Sequence, residues 1–363
     1  MAHAGFWTVA DAYGSLLPAF PGVASMVVQR AARGNGKTYV NDIHSMEAGD
    51  ELDPQIRRFV DTVIADFDRR GPFKDLSIPE RRASAELVRA PWASGGPTTV
   101  ITELNVPGRV RDIRVRLHHP VTDSFAPMPA IIYLHGGGWT LFSLDTHDRL
   151  MREYAARAGA IVVGVDYSLS PEAKYPVALH EVLDVIAWLR DTSEVHGIAP
   201  DRIAIAGDSA GGNLSVATCL ALRAEHQPPP RGMLLNYAAL DTWHSDAAVR
   251  RYGGPRYMLG ADEMEEFWRN YTRAPSDRDD PLCCPARAEY AGLPPAFFAI
   301  AACDILAEQN VEIAERMRRA GVAVDARVYQ GASHSFLEAV SISELSDRAL
   351  EEGAAWLRDV LAD

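Results

Sequence analysis

A serine lies among small residues in "GDSAG", Gly207 to Gly211, where the apolar alternation of "RIAIA" stops and a helical pattern begins. Such a turn serves close packing, or it holds the Ser209 hydroxyl out as a nucleophile at the start of a helix. At ordinary glycine usage G-x-S-x-G arises by accident in roughly one chain of this length in ten, so Ser209 needs partners before it means chemistry. A hydroxyl attacks only when a base takes its proton. Of the chain's histidines only three follow Ser209. His226 ends the helix that Ser209 begins, and His244 sits in an irregular stretch. His334, in "YQGASHSF", directly follows the last strand-like run, which makes it the candidate base. The run "AFFAIAACD" ends in Asp304, an acid that either orients an imidazole or caps the next helix; Glu308 is the spare candidate. In "HGGGW", His135 to Trp139, the glycines let backbone N–H groups approach a reacting oxygen closely. The candidate oxyanion donors are the amides of Gly137, Gly138 and Ala210, with His135 holding the loop by hydrogen bonding. A phosphate-cradling loop is the rival reading, but no Walker lysine follows and the G-x-G-x-x-G spacing is absent. Trp139, Tyr237 and Trp243 are candidate pocket residues, and Trp243 suits packing equally well.

These residues need a frame that brings them together. Residues 1–92 read as a helical segment with breaks, and Ile56, Phe59, Val60, Val63 and Ile64 fall on one helical stripe. From about residue 98, "TTVITELNV" and "VRDIRVRLHHP" alternate as paired strands with one wet face, and His118 and His119 read as surface residues. "AIIYLHGGG" is a continuous apolar run, as in a strand buried on both faces. Helix-like and strand-like stretches then alternate: 146–158, "AIVVGVDY", "YPVALHEVLDVIAWLRD", "RIAIAGD", the stretch from Ser209, and "GMLLNYAAL". Residues 238–280 interrupt, helix-like over 261–271. The alternation resumes with "PAFFAIAACD", a helix, "VAVDARVYQG" and a final helix from about 342.

That order predicts a mostly parallel eight-stranded sheet with helices on both faces, the α/β-hydrolase plan. The core is split into 93–237 and 281–363. The 1–92 segment and the 238–280 insertion form a helical cap over the strand C-termini.

Composition narrows the function. The chain has 363 residues and a net charge of -13. That charge argues against nucleic acid and against an anionic membrane surface, both of which need a basic footprint. No apolar run reaches the roughly 18 residues of a spanning helix. Leu16 to Val28 is apolar, but two prolines interrupt it and no lysine or arginine precedes it, so it does not read as a secretory leader. Cys219, Cys283, Cys284 and Cys303 read as reduced, buried thiols of a cytoplasmic protein, and no spacing suggests a metal site.

The stretches "YLHGGGW", "LDTHDRLMR", "DYSLSPEAKYPVA", "IAGDSAGGNL", "CDILAEQN" and "YQGASHSF" resemble the hormone-sensitive-lipase family of α/β-hydrolases, and within it the bacterial acetyl esterases. The resemblance runs from about residue 95 onward. It implies a Ser209–Asp304–His334 triad, an oxyanion hole of Gly137, Gly138 and Ala210, and hydrolysis of small esters with short acyl chains, without a cofactor. The family often has arginine where this chain has Ser168, proline where it has Ile305, and glycine where it has Ser335. Two alternatives stay open. "HGGGW" also fits the loop of kynurenine formamidases, which are amide hydrolases, and some plant hormone receptors resemble the family but lack the histidine. A homodimer is left open, because these patterns do not encode oligomeric state.

Overall fold

The computed structural model describes residues 51–123 and 126–362. The helical character expected of residues 1–50, and the Leu16 to Val28 segment, lie outside the described residues. The strands are β1 (Thr99–Val106), β2 (Ile113–Pro120), β3 (Met128–Leu134), β4 (Ile161–Val165), β5 (Ile198–Asp208), β6 (Met233–Asn236), β7 (Ala296–Cys303) and β8 (Val324–Ser333). They form one sheet in the order β1-β2-β4-β3-β5-β6-β7-β8. The β1–β2 and β2–β4 pairs are antiparallel, and every other pair is parallel. The helices are α1 (Pro54–Arg69), α2 (Ile78–Ala93), α3 (Asp148–Ala158), α4 (Val177–Thr192), α5 (Ala210–Ala224), α6 (Asp246–Tyr252), α7 (Ala261–Tyr271), α8 (Ala307–Arg319) and α9 (Glu344–Val360).

Period-2 alternation in the central strands feeds two cores, one on each face of the sheet. In β3, Ala130, Ile132 and Leu134 join the face covered by α4, α5 and α8. Ile131 and Tyr133 join the face covered by α1, α3 and α9. All five are fully buried, which is why this strand reads as an unbroken apolar run. β1 has a strand neighbour on one side only, and it leaves Val100 and Ile101 exposed.

The α1 stripe packs inward through Ile56, Phe59, Val60 and Val63. Asp53 starts this helix by accepting from the Gln55 and Ile56 amides at 2.8 and 3.3 Å, a cap worth about 1 kcal/mol. The Asp53 amide donates to the Gly331 carbonyl at 2.9 Å, tying α1 to the end of β8. Both helices of the 238–280 insertion follow β6. α7 occupies the expected span; α6, only seven residues long, is too short to show periodicity. Arg81 on α2 pairs with Glu266 on α7 at 2.5 Å, so the segment that precedes β1 touches the insertion between β6 and β7.

One expectation fails. His118 is not a surface residue but fully buried. Its Nδ1 lies 3.0 Å from Thr99 Oγ1 and its Nε2 lies 3.6 Å from Asp148. Alternation places it inward under α3, and burial pushes its pKa down to about 4.

Candidate active site

The sharp turn after β5 carries Ser209 at φ 52 and ψ -116, a conformation that non-glycine residues adopt only when their surroundings enforce it. The enforcement comes from three backbone hydrogen bonds. The Ser209 amide donates to Asn236 O at 2.9 Å, and the Ser209 carbonyl accepts from Asn213 at 3.1 Å and Ala239 at 3.0 Å. The turn also lies against the end of β3: a Cβ on Gly211 would collide with the Leu134 carbonyl, so glycine is required there.

His334 follows β8 directly, because that strand extends to Ser333. Its Nε2 lies 3.0 Å from Ser209 Oγ, and its Nδ1 lies 2.6 Å from Asp304 Oδ2. A carboxylate only accepts, so the neutral ring carries its proton on Nδ1 and offers the Nε2 lone pair to the hydroxyl. Asp304 does not cap α8, whose N-cap position is Leu306 and has no side-chain cap. Its Oδ1 accepts from the Leu306 amide at 2.9 Å in the turn before the helix, while the other oxygen faces the imidazole. Glu308 takes no part in this relay. Burial presses His334 toward neutrality, but the charge and hydrogen bond of Asp304, with Asp208 and Glu263, outweigh it and hold its pKa above 6.5.

The "HGGGW" loop runs from the end of β3 past the serine turn. The Gly136 amide donates to Asp208 Oδ1 at 3.2 Å. Gly137 and Gly138 have φ of 105 and 59, and a Cβ on Gly138 would run into the Phe267 ring of α7. Ala210 opens α5, so its N–H has no acceptor within the helix. His135 does hold the loop: its Nδ1 lies 2.7 Å from the Gly136 carbonyl, and its ring stacks on Tyr167 at 4.4 Å. Burial pushes its pKa down to about 4, so it stays neutral at ordinary pH.

The three candidate pocket residues separate. The Tyr237 ring lies 5.0 Å from His334. Trp139 is fully buried, stacked on Tyr271 at 4.3 Å and beside Trp268 at 4.7 Å. Trp243 is 50% exposed and is held through its backbone by Asp241 and Gln309. His244 and His226 form no contact with Ser209 among the described hydrogen bonds.

A second cluster escaped the sequence reading. Asp208, one residue before the serine, accepts from Tyr133 OH at 2.8 Å and lies 3.3 Å from His147 Nε2. All three are buried. The sequence signal was available: Asp208, like Asp304, is an acid at the end of an apolar strand, and His147 sits in "LDTHDRLMR". Ser168, where the resemblance leads one to expect arginine, bonds to Glu181 at 2.7 Å. Arg111 reaches the same carboxylate from the β1–β2 connection at 2.8 Å.

The four cysteines are free and buried. No helix among the described residues is long and apolar enough to cross a membrane.

A family model of the alpha/beta hydrolase fold matches residues 131–338. An ethyl acetate hydrolase of Pseudomonas putida is 38% identical over 239 residues, 65% of this chain and 75% of that protein. An acetyl esterase of Salmonella paratyphi B is 31% identical over 313 residues, 83% of this chain and 94% of its own length. Among solved structures, an esterase of Pyrobaculum calidifontis superposes with a TM-score of 0.78 at 32% identity, covering 86% of this chain and 100% of that one.

Proposed function

Because the chain belongs to the hormone-sensitive-lipase family of α/β-hydrolases, we propose that Ser209, His334 and Asp304 form the catalytic triad of a carboxylic-ester hydrolase acting on short acyl, chiefly acetyl, esters. The observation that carries this reading is the unbroken relay of 2.6 and 3.0 Å contacts from Asp304 through His334 to Ser209. The relatives are ester hydrolases, which favours this reading over the amide-hydrolase and receptor alternatives.

His334 takes the Ser209 proton as the hydroxyl oxygen bonds to the ester carbonyl carbon. The carbonyl oxygen becomes an oxyanion held by the Gly137, Gly138 and Ala210 amides, each worth about 2.7–4 kcal/mol to the barrier. The intermediate collapses, the alcohol leaves with the proton from His334, and the acyl group stays on Ser209. Water, deprotonated by the same imidazole, then releases the acid and restores the hydroxyl. Asp304 stabilises the imidazolium formed in each half-reaction. The helices α1, α2, α6 and α7 serve as the cap. Tyr237 walls the site beside His334, while Trp139 and Trp243 support the cap and its rim.

Three expected outcomes follow. His334 must be neutral to accept a proton, and its pKa is raised, so kcat/KM should fall on the acid side through a pKa above 6.5. A pH–rate profile with p-nitrophenyl acetate measures this; full activity well below that value would contradict it. An acyl series from acetyl to dodecanoyl in the same assay should peak at the short end. The Gly138→Ala variant strains a left-handed position and pushes on Phe267. It should lose about 10²- to 10³-fold in kcat, the size of one oxyanion donor, read from steady-state kinetics with a melting curve as the folding control.

A further inference from the structure

The triad does not use Asp208 or His147, yet both are buried ionisable groups beside the nucleophile. The Asp208 carboxylate reaches across from the end of β5 to the loop that follows β3, taking the Gly136 amide at 3.2 Å and the Tyr133 hydroxyl at 2.8 Å. Its other oxygen lies 3.3 Å from His147 Nε2, whose Nδ1 lies 2.9 Å from Thr146 Oγ1. The contacts fix the first glycine of the oxyanion loop against the residue that precedes Ser209.

Geometry alone would make this a poor arrangement. A buried anion next to the nucleophile opposes the oxyanion that forms there, and in a low-dielectric site such like-charge repulsion is large. His147 removes the conflict. The groups facing it are Asp208 from β5, Tyr133 from β3, His135 from the glycine loop, Glu86 and Arg89 from α2, and Glu338 from the segment after His334. Burial favours a neutral His147, but Asp208 outweighs it and raises the imidazole's pKa. Burial likewise opposes ionisation of Asp208, and His147 with Tyr133 holds its pKa below the usual carboxylate value. The two shifts agree on a charged pair.

We propose that Asp208 and His147 are positioning residues acting as one neutral unit: the carboxylate fixes the oxyanion loop against the nucleophile turn, and the imidazolium cancels the charge that would otherwise oppose the oxyanion. This rests on the ester-hydrolase reading, and wild-type turnover in the same assay tests that reading separately.

The test compares His147→Gln, Asp208→Asn and the double variant in the full chain, with p-nitrophenyl acetate as substrate and a phenylboronic acid as the tetrahedral mimic. His147→Gln keeps a donor for Asp208 but strips the charge. It should lower kcat about 10²-fold, leave KM within about threefold, and move the acid limb to higher pH because Asp208 now acts on His334 uncompensated. Asp208→Asn should move that limb to lower pH and weaken the boronic acid in step with kcat. The double variant, again neutral, should recover kcat relative to His147→Gln. Wild-type kcat and acid limb in His147→Gln, or a double variant no better than that single, would overturn the proposal. Should these variants fail to fold, Tyr133→Phe removes one donor from Asp208. It should weaken the boronic acid with KM unchanged, and undiminished boronic acid affinity would overturn the idea equally.

Discussion

In the Ser209→Ala variant, hydrolysis of p-nitrophenyl acetate is expected to fall on the order of 10⁶-fold, to the level that binding and oxyanion donors sustain without a nucleophile. The loss should appear in kcat, because the missing hydroxyl contributes no ground-state contact to a small acyl group. The fold should survive. The turn is enforced by backbone bonds from Asn236, Asn213 and Ala239, and none of them needs the side chain. A melting temperature close to wild type beside a collapsed kcat would show both halves of this expectation. Retained turnover would remove Ser209 from the chemistry.

Asp304→Asn carries the second large effect, on the order of 10⁴-fold in kcat. The carboxylate compels the His334 proton onto Nδ1 at 2.6 Å. An amide offers an N–H there as readily as a carbonyl, and the ring then presents Nε2–H to Ser209 and cannot accept its proton. The charge that stabilises the imidazolium is lost as well, so the acid limb of the profile should shift downward. The amide oxygen can keep the Leu306 N–H bond that Asp304 makes at 2.9 Å, so stability should change much less than rate. Steady-state kinetics across pH, with thermal melting alongside, distinguishes this from a merely structural loss.

The parts of the site legible in the sequence are those that local pattern controls. An apolar run ending on a polar residue marks a strand whose last side chain emerges at the sheet edge, and Ser209 and Asp304 follow such runs, while His334 follows the mixed strand β8. Its position directly after the last strand, together with chain order, then selected His334 from three candidates. The parts that escaped depend on what faces what across the sheet. His118 reads as solvated because a terminal "HH" after an alternating strand looks wet; only the packing of α3 over β2 buries it. The Asp208–His147 contact joins residues 61 apart, and nothing local to either one announces the other. Arg111 and Ser168 meet on Glu181 from two separate segments, a contact visible only when both are in place. Trp139 and Trp243 show the same limit for aromatic residues. Their type suggests a pocket, but one is stacked into the α7 core and the other faces solvent.

In the proposed mechanism the acyl group passes through a covalent bond to Ser209. Rapid acid quench during turnover of an acetyl ester, followed by peptide mass mapping, tests it most directly. The expected result is an acetyl adduct on the peptide containing Ser209, formed in a pre-steady-state burst and absent from Ser209→Ala. Steady ester turnover with no adduct at Ser209, or an adduct on another side chain that is chemically competent, would contradict the account.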